Sequence, residues 1–113
     1  MIYIFSAFYA EAKNIIDHYG LKKEKSPEMV RFDVFVNESI RLVITGVGEI
    51  NAAAAVSNIG GAYGISPDDE ILNVGCGAGF SSDICLGSIF LGNKLTEQMT
   101  GRTFYPDMLM NAN

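Results

Sequence analysis

The stretch that most constrains this chain is a strand that runs straight into glycine, Glu70-Ile-Leu-Asn-Val74 followed by Gly75-Cys-Gly-Ala-Gly79. A short apolar run bounded by turn residues reads as a buried strand. Glycines placed directly after it let bare backbone N–H groups come close to a ligand, most often to phosphate or ribose oxygens. A loop of this kind usually opens a crossover helix, and a parallel crossover takes about a dozen residues or more. Here only eight residues separate Gly79 from Ser88, where Gly87-Ser-Ile-Phe-Leu91 predicts the next strand. No full helix fits in that interval, so the helices of the fold have to come from the residues upstream.

The upstream pattern supplies them. Ile2-Tyr-Ile-Phe5 is a β-branched and aromatic run ending at the small residues Ser6 and Ala7. A helix is predicted from Tyr9 to His18, with Ala12, Ile15, Ile16 and Tyr19 recurring at spacings of three and four and Gly20 as its stop. Met29 to Val36 alternates, and Asn37-Glu-Ser turns it into Ile40-Arg-Leu-Val-Ile44, which predicts a hairpin. Thr45-Gly-Val-Gly48 ends the second strand, and the alanine-rich run from Glu49 to Gly64 predicts a slim helix able to lie close to a sheet. The order strand, helix, hairpin, helix, strand, strand predicts an α/β fold, a mixed sheet with helices on both faces. Residues 1–113 are expected to form a single domain, with 96–113 a loop and tail that includes an ordinary turn at Asp107.

Composition narrows the partners. A hydrophobic content of 49% over 113 residues is enough for a real core. The formal net charge of -5 leaves no basic stripe to neutralise a row of phosphates, which argues against nucleic acid. The apolar runs are interrupted well before the roughly 18 residues needed to span a bilayer. The start, Met-Ile-Tyr-Ile-Phe, lacks a basic n-region, so a cytoplasmic protein with no membrane partner is expected. Cys76 and Cys85 have no second pair, and the single His18 is distant in sequence. Neither a metal site nor a disulfide framework is expected, and the two thiols are read as small, reduced and partly buried.

The glycine loop has two competing readings. Gly75-Cys-Gly-Ala-Gly79 matches the G-x-G-x-G loop with which many methyltransferases hold S-adenosylmethionine. The short interval to Ser88 counts against it, as does Asn73 at the strand end, where those enzymes usually carry an acid. The other reading takes in more of the chain. Ile4-Phe-Ser-Ala-Phe-Tyr-Ala-Glu11, Thr45-Gly-Val-Gly-Glu-Ile-Asn-Ala-Ala-Ala54, and Glu70 to Phe80 followed by Leu86-Gly-Ser-Ile-Phe-Leu91 occur in that order. Together they resemble the N-terminal half of the nucleoside phosphorylase family, in particular its methylthioadenosine/S-adenosylhomocysteine nucleosidases. The resemblance covers about residues 2 to 107.

That resemblance implies a truncated form of the family's three-layer architecture and the family reaction, cleavage of the N-glycosidic bond of purine nucleosides. It implies a purine nucleoside and possibly phosphate as ligands, and no cofactor. Glu11 falls on the acid that positions or activates the attacking water, a role that makes sense for an oxocarbenium-like ribosyl centre. The residues alone allow a simpler role, a carboxylate complementing a helix N-terminus. Phe8 and Val47 fall on positions lining the 5′ side of the sugar, though either would equally serve as core. Gly48, Gly75, Cys76 and Gly77 belong to the matching substrate-binding loops. Cys76 replaces a hydroxyl residue and Ser88 replaces an Asp, departures that weaken the expectation of tight phosphate binding. The family's Met-Glu pair for the ribose hydroxyls and its acid for the purine have no match in the sequence. An incomplete enzyme is therefore expected, and alongside it a non-catalytic fragment that self-associates as a homo-oligomer through an unpaired sheet edge.

Overall fold

The computed structural model describes residues 1–106, so Asp107 and the tail beyond it lie outside the described residues. The chain divides into two compact units, Met1–Gly77 and the residues from Ala78 onward, and each is described by itself.

The first unit is a mixed five-stranded sheet carrying two helices. In chain order its elements are β1 (Ile2–Ser6), α1 (Tyr9–Tyr19), β2 (Lys22–Lys23), β3 (Asp33–Val36), β4 (Ile40–Ile44), α2 (Glu49–Tyr63) and β5 (Glu70–Asn73). The strand order is β2-β3-β4-β1-β5. β1 lies between two parallel partners, with Ile4 opposite Leu42 on one side and Leu72 on the other. β3 runs antiparallel to β4 in the expected hairpin.

Strand alternation sorts the side chains into two cores. Tyr3, Phe5, Val34 and Val43 face α2 and pack on Ala55 and Ile59. Ile4, Ile40 and Leu42 face the other way and pack on Ala12, Ile16 and Leu21. The chain leaves β1 for β4 on one side and later leaves β4 for β5 on the other, so connections of a common hand carry α1 and α2 to opposite faces. Val34, Leu42, Val43 and Ile59 are almost completely buried, and each such side chain contributes about 1.5–3 kcal/mol of transfer free energy.

Both helices end as the glycines require. Gly20 takes the left-handed conformation at φ 63°, which lets Leu21 N–H reach back to the Ile16 carbonyl at 2.9 Å and buries Leu21 against the helix. Gly64, at φ 68°, closes α2 through its N–H to Gly60. α1 buries Ala12 and Ile16 from the predicted stripe, but Tyr19 is exposed.

Several strand expectations need correction. Residues 29–32 are not ladder-paired, because Asn58 of α2 takes their backbone: its Oδ1 accepts from Arg31 N–H at 3.0 Å and its Nδ2 donates to the Met29 carbonyl at 2.8 Å. Val30 and Phe32 still pack against the α2-side core. β2 was not foreseen, and its two lysines pair with Phe35 and Val36.

The unit from Ala78 onward holds no strand over Gly87–Leu91. Gly87 sits at φ 86°, and both Ser88 N–H and Ser88 Oγ donate to the Cys85 carbonyl, so the run is held in a turn. A two-stranded ladder appears instead within the expected loop, β6 (Leu95–Thr96) against β7 (Thr103–Phe104). Glu97 N–H to the Arg102 carbonyl, and Gly101 N–H to the Glu97 carbonyl with Gly101 at φ 73°, close it. Phe80, Leu86 and Ile89 are fully solvent-exposed.

Candidate functional site

In an open sheet of this type, ligands meet the carboxyl ends of the parallel strands. Here those ends are Ser6, Ile44 and Asn73. Backbone pairing carries slightly past them: Thr45 N–H donates to the Ser6 carbonyl at 2.8 Å, Gly46 N–H to Ala7 at 3.1 Å, and Val74 N–H to Phe5 at 3.0 Å. The three chains therefore leave the sheet together and then part.

On the α2 side they leave an open cleft of about 300 Å³ lined by Ala7, Thr45, Gly46, Gly48, Glu49, Ala52 and Asn73. Gly48 is the N-cap of α2 at φ 94°, a conformation that favours glycine, and no side chain caps the helix. Gly46 is also at positive φ (82°), and a Cβ there would stand 3.2 Å from Asn51 Nδ2. Asn51 itself donates to the Val47 carbonyl at 2.7 Å, which fixes the turn leading into α2. Uncapped N–H groups at a helix start attract an anion, but Glu49 already places a carboxylate in that first turn. A neutral, hydrogen-bonding ligand suits the cleft better than a phosphate ion.

Glu11 approaches the same strand ends from α1, on the opposite face. It is half-buried, and its Oε2 accepts the N–H of Cys76 at 2.8 Å, a contact spanning 65 residues. The sequence names Glu11 and the glycine loop separately, and the structure brings the two together. Gly48 lines the cleft on the α2 side. Phe8 and Val47 are more than half exposed, which removes their reading as core. Gly77 is exposed, and no atom of the described residues stands within 4 Å of the place a Cβ would occupy. Both cysteines are free and exposed rather than partly buried; Cys76 lies beyond the last ladder pair of β5, where no strand covers it.

Three residues of this end were not named from the sequence as lining a site. Thr45 and Asn73 line the cleft because they follow Val43 and Ile71 at strand spacing on the α2 face. Ser6 is 1% exposed, and its Oγ has no hydrogen-bond partner among the described residues.

The other end of the sheet holds a denser polar cluster. The Arg41 guanidinium lies 3.8 Å from the centre of the Tyr63 ring and donates to Glu24 Oε1 and to Tyr3 OH, each at 3.3 Å. Tyr63 OH donates to Glu24 Oε2 and also meets Ser26 Oγ. Burial would raise the Glu24 carboxyl, but the Tyr63 hydroxyl and the Arg41 charge outweigh it and hold the group below its ordinary 4.5. Burial, with the bond to Glu24, pushes the Tyr63 phenol above its ordinary 10.0. The one signal for this cluster was an arginine inside the apolar run Ile40 to Ile44.

No helix among the described residues is long and apolar enough to cross a membrane. No protein-family model, no curated protein and no solved structure matches the chain.

Proposed function

We propose that the carboxyl ends of β1, β4 and β5 form the nucleophile side of a purine-nucleoside site of the nucleoside phosphorylase and nucleosidase type. The observation that carries this reading is the meeting of Glu11 with Cys76 in the glycine loop after β5. It sets a carboxylate beside backbone groups at the end of the sheet where α/β folds take their ligands. On this reading the cleft beside Thr45, Gly48 and Asn73 receives the sugar, and Glu11 holds the attacking nucleophile on the face away from the purine. The carboxylates of Glu11 and Glu49 favour water over phosphate in that position. The purine-side acid and the ribose-holding pair have no match in the sequence, so the chain alone binds nucleosides without turning them over at a useful rate. General acid assistance is typically worth about 10² to 10⁴ in rate.

The methyltransferase reading loses further ground. No helix lies between Gly75 and Lys94, where an S-adenosylmethionine loop would open one. Calorimetric titration of the full chain with adenosine, inosine, methylthioadenosine and S-adenosylmethionine tests the choice. The nucleosides are expected to bind more tightly than S-adenosylmethionine. Micromolar binding of S-adenosylmethionine with weak or absent nucleoside binding would overturn the proposal.

A further inference from the structure

Gly75 has no backbone reason to be glycine. Its φ is not positive, so an L side chain would fit the local conformation without strain. Nor does it face a crowded wall: the one heavy atom within 4 Å of a Cβ built there is Glu11 Oε2, at 3.2 Å. That same oxygen accepts the N–H of the next residue, Cys76, at 2.8 Å. A methyl group at position 75 would have to push the carboxylate away by a few tenths of an ångström, directly against this hydrogen bond.

The bond itself sits where the sheet lets go of the chain. Val74 is the last residue after β5 whose N–H still reaches β1, through the Phe5 carbonyl at 3.0 Å. Gly75, Cys76 and Gly77 are exposed and belong to no strand. A charge-assisted bond from N–H to carboxylate is shorter and about twice as strong as a neutral one. Here it joins the first turn of α1 to the segment leaving β5.

We propose that Glu11 and Gly75 form a carboxylate latch: Glu11 is a positioning residue that holds the 75–77 segment against α1, and residue 75 is glycine so that the carboxylate can close on Cys76 N–H. The latch goes beyond the nucleoside reading and does not depend on it. Whatever occupies the site, a group that draws the Glu11 carboxylate away also releases the segment after β5.

Amide hydrogen exchange on the full chain tests this, read at Cys76 with Val74 as the internal reference. Glu11→Ala is expected to speed Cys76 exchange on the order of tenfold or more while leaving Val74 unchanged. Glu11→Gln, which keeps an acceptor oxygen, should lie between the two. Gly75→Ala should speed Cys76 exchange in the wild-type background and have no further effect when Glu11 is already Ala. The idea is overturned if Cys76 exchange does not respond to Glu11→Ala. It is equally overturned if Val74 and Cys76 accelerate together, or if Gly75→Ala acts the same in both backgrounds.

Discussion

Near the start of β4, Arg41, Glu24, Tyr63, Ser26 and Tyr3 share hydrogen bonds in a half-buried cluster that ties the last turn of α2 to the sheet, while Arg41 Nε stays buried without a partner among the described residues. At the carboxyl ends of β1, β4 and β5 the same sheet is finished with positive-φ glycines, an uncapped helix start, a buried serine hydroxyl without a partner among the described residues and one long-range side-chain hydrogen bond. Polar groups that find partners within the protein fix a structure; polar groups left with spare capacity are available to a ligand. The denser bonding assigns stability to the Arg41 end, and the proposed function puts recognition at the other.

The comparison is broken most forcefully at the more densely bonded end. Arg41→Ala removes the stack on Tyr63 and leaves the Glu24 carboxylate without its cation. The expected loss is about 2–3 kcal/mol, toward the lower side of what breaking a buried pair costs because both side chains keep some solvent contact. Chemical denaturation with an unchanged m-value would record it. A smaller effect, about 1 kcal/mol at neutral pH, is expected for Glu24→Gln, which keeps the shape and removes the charge. Its pH dependence has a definite sign. The folded-state carboxyl is held below 4.5, so its contribution is fully present above that value and disappears as pH falls through the lowered one. The stability gap between wild type and Glu24→Gln should therefore close in acid; a gap that widens in acid would show that the charge is not stabilising. The smallest effect belongs to the open end. Ser6→Ala deletes a hydroxyl with no partner, so stability should stay within about 0.5 kcal/mol of wild type or rise slightly. A loss as large as that of Arg41→Ala would mean that the two ends are not built differently.

How much of this was legible follows from the range of each signal. α1, α2, the β3–β4 hairpin and β5 were all readable, because 3.6-residue periodicity, alternation and glycine stops are local. The failures came from contacts distant in sequence. The alternation of Met29 to Val36 predicted a longer strand, but its first half bonds to Asn58, 27 residues away in the contact with Arg31. The apolar run Gly87 to Leu91 looked like a strand because composition does not report whether a neighbour exists, while the positive-φ Gly101 turn that closes β6 on β7 was hidden in a segment of weak pattern. At the site, Glu11 and the glycine loop were identified singly, and their meeting is a product of topology: β1 lies directly between β4 and β5. The Arg41 cluster was visible only as one charged residue in an apolar strand, since its partners come from a loop, from β1 and from α2.

The central claim is that recognition lies at the carboxyl ends of the strands. It is tested most directly by titrating the isotope-labelled full chain with methylthioadenosine and following the backbone amide signals. The account predicts shifts concentrated at Ala7, Gly46, Gly48, Asn73 and Cys76, with the signals of Arg41 and Tyr63 unmoved. Shifts centred on Arg41 and Tyr63, or no shifts at millimolar ligand, would contradict it.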